Sequence, residues 1–272
     1  MTPIEFLGLY PFQWLAIITA GTTLLLMVDA LVGHYRRAFA YRMQYAPTVT
    51  GTALVVAALL AAAFPDLPLL NQLLSWAGWL AAATGLVGFG YHFYYGIVIK
   101  PGGMKWLLHY LMYGAPILAP LGLTAAGVLG VITARGLAGE HAVFGLVMPV
   151  ALFLFVTIVL AGAIVQAGIL HYRGAFNNPA MYAPLTIPSL AMIAGAWMAL
   201  APSTVVRAAF AVLLWMTLLV GFIGFGMHLR GLDREMGGLY LWHVNLLEGP
   251  PQGAPGLFIA WAAIGLVGLY LL

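Results

Sequence analysis

The chain has no cysteine and few charged residues. Without cysteine it can form neither a disulfide framework nor a thiolate metal site. Charged residues are 6% of the sequence, whereas typical soluble domains contain roughly 25%. The 10 lysines and arginines are too few and too scattered to follow the phosphates of a nucleic acid. These scarcities exclude a soluble globular domain, and we expect no nucleic-acid partner.

Hydrophobic residues make up 64% of the sequence, and the mean hydropathy is +1.02. A helix that spans a bilayer needs about 20 mostly apolar residues, and several segments meet that need. Because lipid offers the backbone no hydrogen bonds, these segments should be helical. The sequence therefore predicts an all-α polytopic protein of the lipid bilayer with eight transmembrane helices. The predicted segments are Pro11–Gly33, Pro47–Phe64, Leu74–Ile99, Tyr113–Thr133, Ala142–Ile169, Pro184–Leu200, Val205–Leu229 and Ala254–Leu272.

One motif occurs twice in the chain. It begins at His34 and again at His171, and the two copies share 8 of 14 positions without a gap (171 − 34 = 137). A second motif, Gly-x-x-Gly-Phe-Gly-x-His, ends at His92 and again at His228 (228 − 92 = 136). The sequence therefore predicts two four-helix repeats, residues 1–137 and 138–272. Since each repeat has an even number of helices, both should insert with the same topology, related by a near-180° rotation about the membrane normal.

The distribution of lysine and arginine predicts the orientation. The ends of the odd-numbered segments carry eight of these residues and the opposite side only two, Arg135 and Arg207. Short cytoplasmic loops are enriched in lysine and arginine. We therefore expect an integral protein of a bacterial inner membrane, with both termini outside and the repeated motifs in the cytoplasm. The eight residues are Arg36, Arg37, Arg42, Lys100, Lys105, Arg173, Arg230 and Arg234.

Paired histidines are the main candidates for a functional site. His34 and His92 lie near the ends of two predicted helices that run in the same direction, and His171 and His228 repeat the arrangement. Two imidazoles from two helices are the axial ligands that a b-type haem needs. We name these residues the first and the second histidine pair, and they predict two equivalent haem or metal sites.

Glycines and arginines accompany both pairs. Gly88 and Gly224 belong to glycine-rich helix faces on which a flat macrocycle could lie. Arg36 and Arg173 follow the motif histidines at the membrane interface, where haem propionates would need cations. In its paired, helix-borne histidines beside glycines the chain resembles b-type cytochrome membrane subunits. It differs from them because no helix carries two histidines at two depths.

Other interpretations of the same residues remain open. The arginines could be topology anchors, the glycine faces could serve helix packing, and the histidines could be structural. A zinc site from His34, His92 and His109 is a further alternative. His109 and His243 occupy similar places in the two repeats but are displaced by one residue, so their participation is open.

Asp29 is the one carboxylate clearly inside a predicted span, and its repeat equivalent is Gln166 (166 − 29 = 137). An ionisable residue within a membrane is a functional candidate by default. Only the first repeat could then hold a proton or quinone site. The alternative is a buried aspartate that is hydrogen-bonded to a neighbouring helix.

Three functions are compatible with these patterns. The first is a quinone-reactive redox subunit with haem b that passes electrons to or from another protein subunit. The second is a small-solute or proton-coupled transporter built from parallel repeats. The third is a membrane anchor or assembly subunit. The patterns leave open whether the chain is an enzyme.

Overall fold

The computed structural model describes residues 7–249, 251 and 253–272. The chain is 82% helical, and eight of its helices are long and apolar enough to span a membrane. The prediction of an all-α integral membrane protein is thus confirmed. The helices are α1 Pro11–Tyr35, α2 Ala46–Ala63, α3 Pro68–Phe93, α4 Leu107–Tyr113, α5 Ala119–Leu137, α6 Met148–Arg173, α7 Ala183–Leu200, α8 Thr204–Arg234, α9 Trp242–Glu248 and α10 Gly253–Tyr270.

Two of the spans begin later than predicted, and local backbone geometry explains both. The fourth span is α5, because the preceding α4 ends at Gly114 and a proline follows two residues later. The fifth span is α6, because Ala142–Val143 and Leu146–Val147 form the strands β1 and β2 of a short hairpin. Its two turn residues both have positive φ, as a two-residue hairpin loop requires.

The buried residues form two clusters: the smaller lies in the first half, and the larger lies mostly in the second half but includes Leu15, Leu129 and Ile132 of the first. In the first half α1 packs on α2 and α5, and α3 packs on the same two helices. In the second half α6 packs on α7 and α10, and α8 packs on the same two. The helices that carry a histidine pair, α1 with α3 and α6 with α8, therefore lie at diagonal corners. α1 also packs against α10 and joins the two halves.

The local backbone repeats along with the motifs. Ala38 and Phe39 have φ values of 53° and 45°, and Ala175 and Phe176 have 54° and 47°. Left-handed backbone is uncommon for residues other than glycine, so two successive cases in both copies indicate one specific turn. The predicted rotation between the halves stays a prediction. The N-terminal six residues, expected outside the cell, lie outside the described part of the chain.

Candidate functional site

The repeated motif forms a turn that leads from one span to the next. After the left-handed turn, the Phe39 ring stacks on Tyr45 with 4.4 Å between ring centroids. Phe176 and Tyr182 stack in the same way at 4.6 Å. Tyr45 and Tyr182 directly precede α2 and α7, and each of those helices has a proline in its first turn. The motif thus fixes the path of the chain just after each of its histidines.

The first histidine pair meets across the bundle. The ring centroids of His34 and His92 are 6.3 Å apart, with 68° between the ring planes. Both side chains are partly buried. Since α1 and α3 occupy diagonal corners, the two rings approach each other at one end of the helical bundle rather than along a shared helix contact. The structure therefore brings together the two histidines that the sequence paired.

Both rings are hydrogen-bonded to the backbone. His92 Nδ1 donates to the carbonyl oxygen of Pro116 at 3.0 Å, and the His34 ring is hydrogen-bonded to the backbone of Gln44. A carbonyl oxygen can only accept, so Nδ1 of His92 must carry the proton. In a neutral imidazole Nε2 then keeps a free lone pair. Ligating histidines in metalloproteins have the same arrangement.

The second half repeats these hydrogen bonds. His171 Nδ1 donates to Met181 at 3.0 Å, and His228 Nδ1 donates to Pro251 at 2.8 Å. Met181 is the repeat equivalent of Gln44 (181 − 44 = 137). His171 and His228 lie close enough to interact electrostatically. Both pairs therefore have partly buried imidazoles that are hydrogen-bonded to the backbone, by Nδ1 in His92, His171 and His228.

The glycine faces are filled by neighbouring helices. A Cβ placed on Gly88 would lie 3.2 Å from Pro120, and one on Gly224 would lie 3.3 Å from Pro255. These prolines belong to the first turns of α5 and α10. The predicted macrocycle surface is thus a helix-packing surface, and the glycines act on the site by letting α5 and α10 approach. That approach places the Pro116 and Pro251 carbonyls beside the histidines.

The two predicted arginines differ in their surroundings. Arg173 donates to the carbonyl oxygens of Leu111 at 3.3 Å, Gly114 at 3.0 Å and Met112. Arg36 is exposed, and its side chain has no hydrogen bond or ion pair with the described residues. The sequence did not single out Arg37, which lies close enough to act electrostatically on both His34 and His92.

Asp29 has a structural partner in the second half. Its carboxylate accepts the backbone N–H of Gly253, the first residue of α10. A Cβ on Gly253 would lie 2.6 Å from Asp29 Oδ2, so only glycine fits beside the carboxylate. An anion at a helix N-terminus satisfies a free N–H group and the helix dipole. Gln166 is partly buried, and its side chain has no hydrogen bond to the described residues.

The remaining candidate histidines do not join a pair. His109 is exposed among Trp106, Tyr110 and Tyr113, and His243 is exposed beside Trp242. Within the described residues, no three or more histidine, aspartate or glutamate side chains come together to hold a metal. The zinc alternative therefore lacks its third ligand.

A surface pocket of about 430 Å³ lies at the C-terminal end of α3. We call it the tyrosine pocket. Tyr95 is its centre, with ring contacts to Tyr91, Tyr94 and Tyr41 at centroid distances of 6.0, 5.2 and 6.0 Å. The second repeat has no tyrosine at the matching α8 positions. The lining residues are Val87, Gly90, Tyr91, Tyr94 and Tyr95.

Comparison of the chain with protein-family models, with curated proteins and with solved structures gives no match. The function therefore has to be argued from the geometry of the site.

Proposed function

We propose that the protein is an integral membrane redox subunit with a b-type haem at each histidine pair. The observation that carries this proposal is the approach of His34 and His92 from diagonal helices, with ring centroids 6.3 Å apart. At this separation His34 and His92 would be able to hold one haem iron between them, because iron–nitrogen bonds are about 2 Å long. The hydrogen bond from His92 Nδ1 leaves Nε2 free, and that atom would bind the iron.

Haem would supply one-electron transfer, and the chain would supply ligands and charge. The carbonyl groups of Pro116 and Pro251 fix the tautomer and orientation of His92 and His228. Arg37 and Arg173 place positive charge beside the pairs, where the propionates of a haem would need it.

Charge supports a protein partner at the end of the first half. Five exposed cations surround the first histidine pair, and residues 34–45 and 94–113 contain no acidic residue. The second half has Asp233 and Glu235 among its cations at this end. An acidic face on another protein subunit would complement the first half and exchange electrons there. We place this end in the cytoplasm of a bacterium and both termini outside. The five cations are Arg36, Arg37, Arg42, Lys100 and Lys105.

The tyrosine pocket supports a quinone as the second redox partner. Its exposed aromatic rings and the bare backbone of Gly90 suit a flat ring that enters from the bilayer. The pocket lies on the helix that carries His92, so an electron would travel a short distance. The tyrosines of the pocket have no counterparts in α8, which would make the first half the quinone-reactive one.

The optical spectrum tests the proposed function. Protein purified from cells supplied with haem should show a Soret band that shifts on reduction. His92→Ala should remove part of that band, and His109→Ala should not, because His109 lies outside both pairs. A colourless wild-type protein would overturn the proposal and leave the transporter and anchor functions, which a flux assay in liposomes would separate.

A further inference from the structure

Two side chains cross from one half to the other and end beside the histidine-binding carbonyls. Arg173, at the end of α6, reaches the carbonyls of Leu111, Met112 and Gly114. Gly114 lies two residues before Pro116, the acceptor of His92. Asp29, on α1, binds Gly253, which lies two residues after Pro251, the acceptor of His228. Each half thus holds the loop that orients a histidine of the other half.

The charges suit these positions. Arg173 meets the C-terminal carbonyls of α4, where the helix dipole favours a cation, and Asp29 meets the N-terminus of α10, where it favours an anion. Hydrogen bonds to charged groups are stronger than neutral ones. The Gly114–Pro116 connection is irregular backbone, and its geometry therefore depends on what binds its carbonyls.

The repeat supplies a natural comparison for both residues. Arg36 is equivalent to Arg173 and Gln166 to Asp29, yet neither equivalent has a side-chain hydrogen bond within the described residues. The cross-half contacts are therefore not demanded by the shared fold.

We propose that Arg173 and Asp29 are positioning residues that couple the two histidine pairs. Arg173 is carried by the helix of His171 and sets the orientation of His92. Asp29 is carried by the helix of His34 and sets the orientation of His228. A change of ligation or redox state at one pair therefore alters the other. The redox part of this inference rests on the proposed function, but the positioning part does not.

The test compares Arg173→Gln with its matched control, Arg36→Gln. Modification of single histidines by diethyl pyrocarbonate, read by mass spectrometry, needs no haem. Arg173→Gln should change the reactivity of His92 severalfold, although Arg173 is attached to the helix of His171, and Arg36→Gln should leave it unchanged. Asp29→Ala should likewise change the reactivity of His228 severalfold, and its control, Gln166→Ala, should leave that reactivity unchanged.

A second readout separates positioning from a merely structural helix cap. In the His228→Ala background, which keeps only the first pair, Arg173→Gln should shift the haem midpoint potential and Arg173→Lys should restore it in part. If Arg173 only capped α4, Arg173→Gln would lower the unfolding temperature and leave the midpoint potential unchanged. Equal His92 reactivity and potential in the Arg173→Gln and Arg36→Gln proteins would overturn the inference. A haem-free wild type would refute the proposed function alone, because the reactivity measurement would still decide the positioning role.

Discussion

At the scale of single residues, the sequence predicts the histidine pairs but not what orients them. The pairing of His34 with His92 followed from the repeat and from the direction of the two helices. Their hydrogen-bond partners are backbone carbonyls, and any residue type supplies a carbonyl. The one available signal was a short Gly-x-Pro sequence that occurs in both repeats and ends at Pro116 and at Pro251. Asp29 was singled out as an intramembrane carboxylate, but its contact with Gly253 depends on how the halves pack.

The glycines of α3 give a prediction at the same scale. A Cβ on Gly85 would lie 2.5 Å from the backbone nitrogen of Thr124 and 2.6 Å from the Pro120 carbonyl, so α5 must move away. Gly85→Ala should destabilise the protein by roughly 1–3 kcal/mol through overpacking. The measurement is the free energy of unfolding of each variant in detergent.

The control for Gly85→Ala is Gly90→Ala. No atom lies within 4 Å of a Cβ at Gly90, and alanine is the better helix former. The control should therefore be neutral or slightly stabilising. Equal unfolding of the two variants would show that the contact between α3 and α5 is looser than described.

At the scale of elements, hydropathy finds the spans because only long apolar helices satisfy the backbone in lipid. It fails at some span ends, since apolar residues continue into the short α4 and the β1–β2 hairpin. Hydropathy also cannot show that the α3 helix continues into a π-helical turn at Tyr94–Val98. Turns of this kind are rare in proteins, and those that occur are often found at functional sites. Here the turn places Tyr94 and Tyr95 in the tyrosine pocket.

The tyrosine pocket predicts a difference between the halves. Tyr91→Ala and Tyr95→Ala should slow the oxidation of the reduced protein by a soluble short-chain quinone, because they remove the rings on which the quinone would stack. Met227→Ala, at the position in α8 that matches Tyr91, should leave the rate unchanged. Stopped-flow spectroscopy measures the rate of this oxidation. Equal oxidation rates in all three variants would refute a quinone site at this pocket.

At the scale of the whole molecule, the repeat is the strongest signal in the sequence. The turns after α1 and α6 and the histidine hydrogen bonds are similar in the two halves, which agrees with a duplicated sequence. It does not predict how the halves associate, because a duplicated sequence contains the same surfaces in both copies. The differences that matter are those between Asp29 and Gln166 and between Arg173 and Arg36, whose side chain has no hydrogen bond to the residues that the structure describes. They appear only when the halves are in contact.

Orientation is a prediction for the whole molecule. The eight-to-two division of lysine and arginine places the loops after α1 and α6 in the cytoplasm. Since the chain has no cysteine, Ala40→Cys and Ala138→Cys introduce single labelling sites at opposite ends. An impermeant thiol reagent added to intact cells should label position 138 and not position 40. The reverse pattern would invert the topology and put the first histidine pair outside.

The haem content per polypeptide tests the central claim most directly. Each histidine pair is proposed to hold one haem, so the wild-type protein should contain two per chain by pyridine haemochrome assay. His92→Ala and His228→Ala should each contain one, because each removes one ligand of one pair, and the double variant should contain none. A wild type without haem, or a double variant that keeps the wild-type content, would contradict the account.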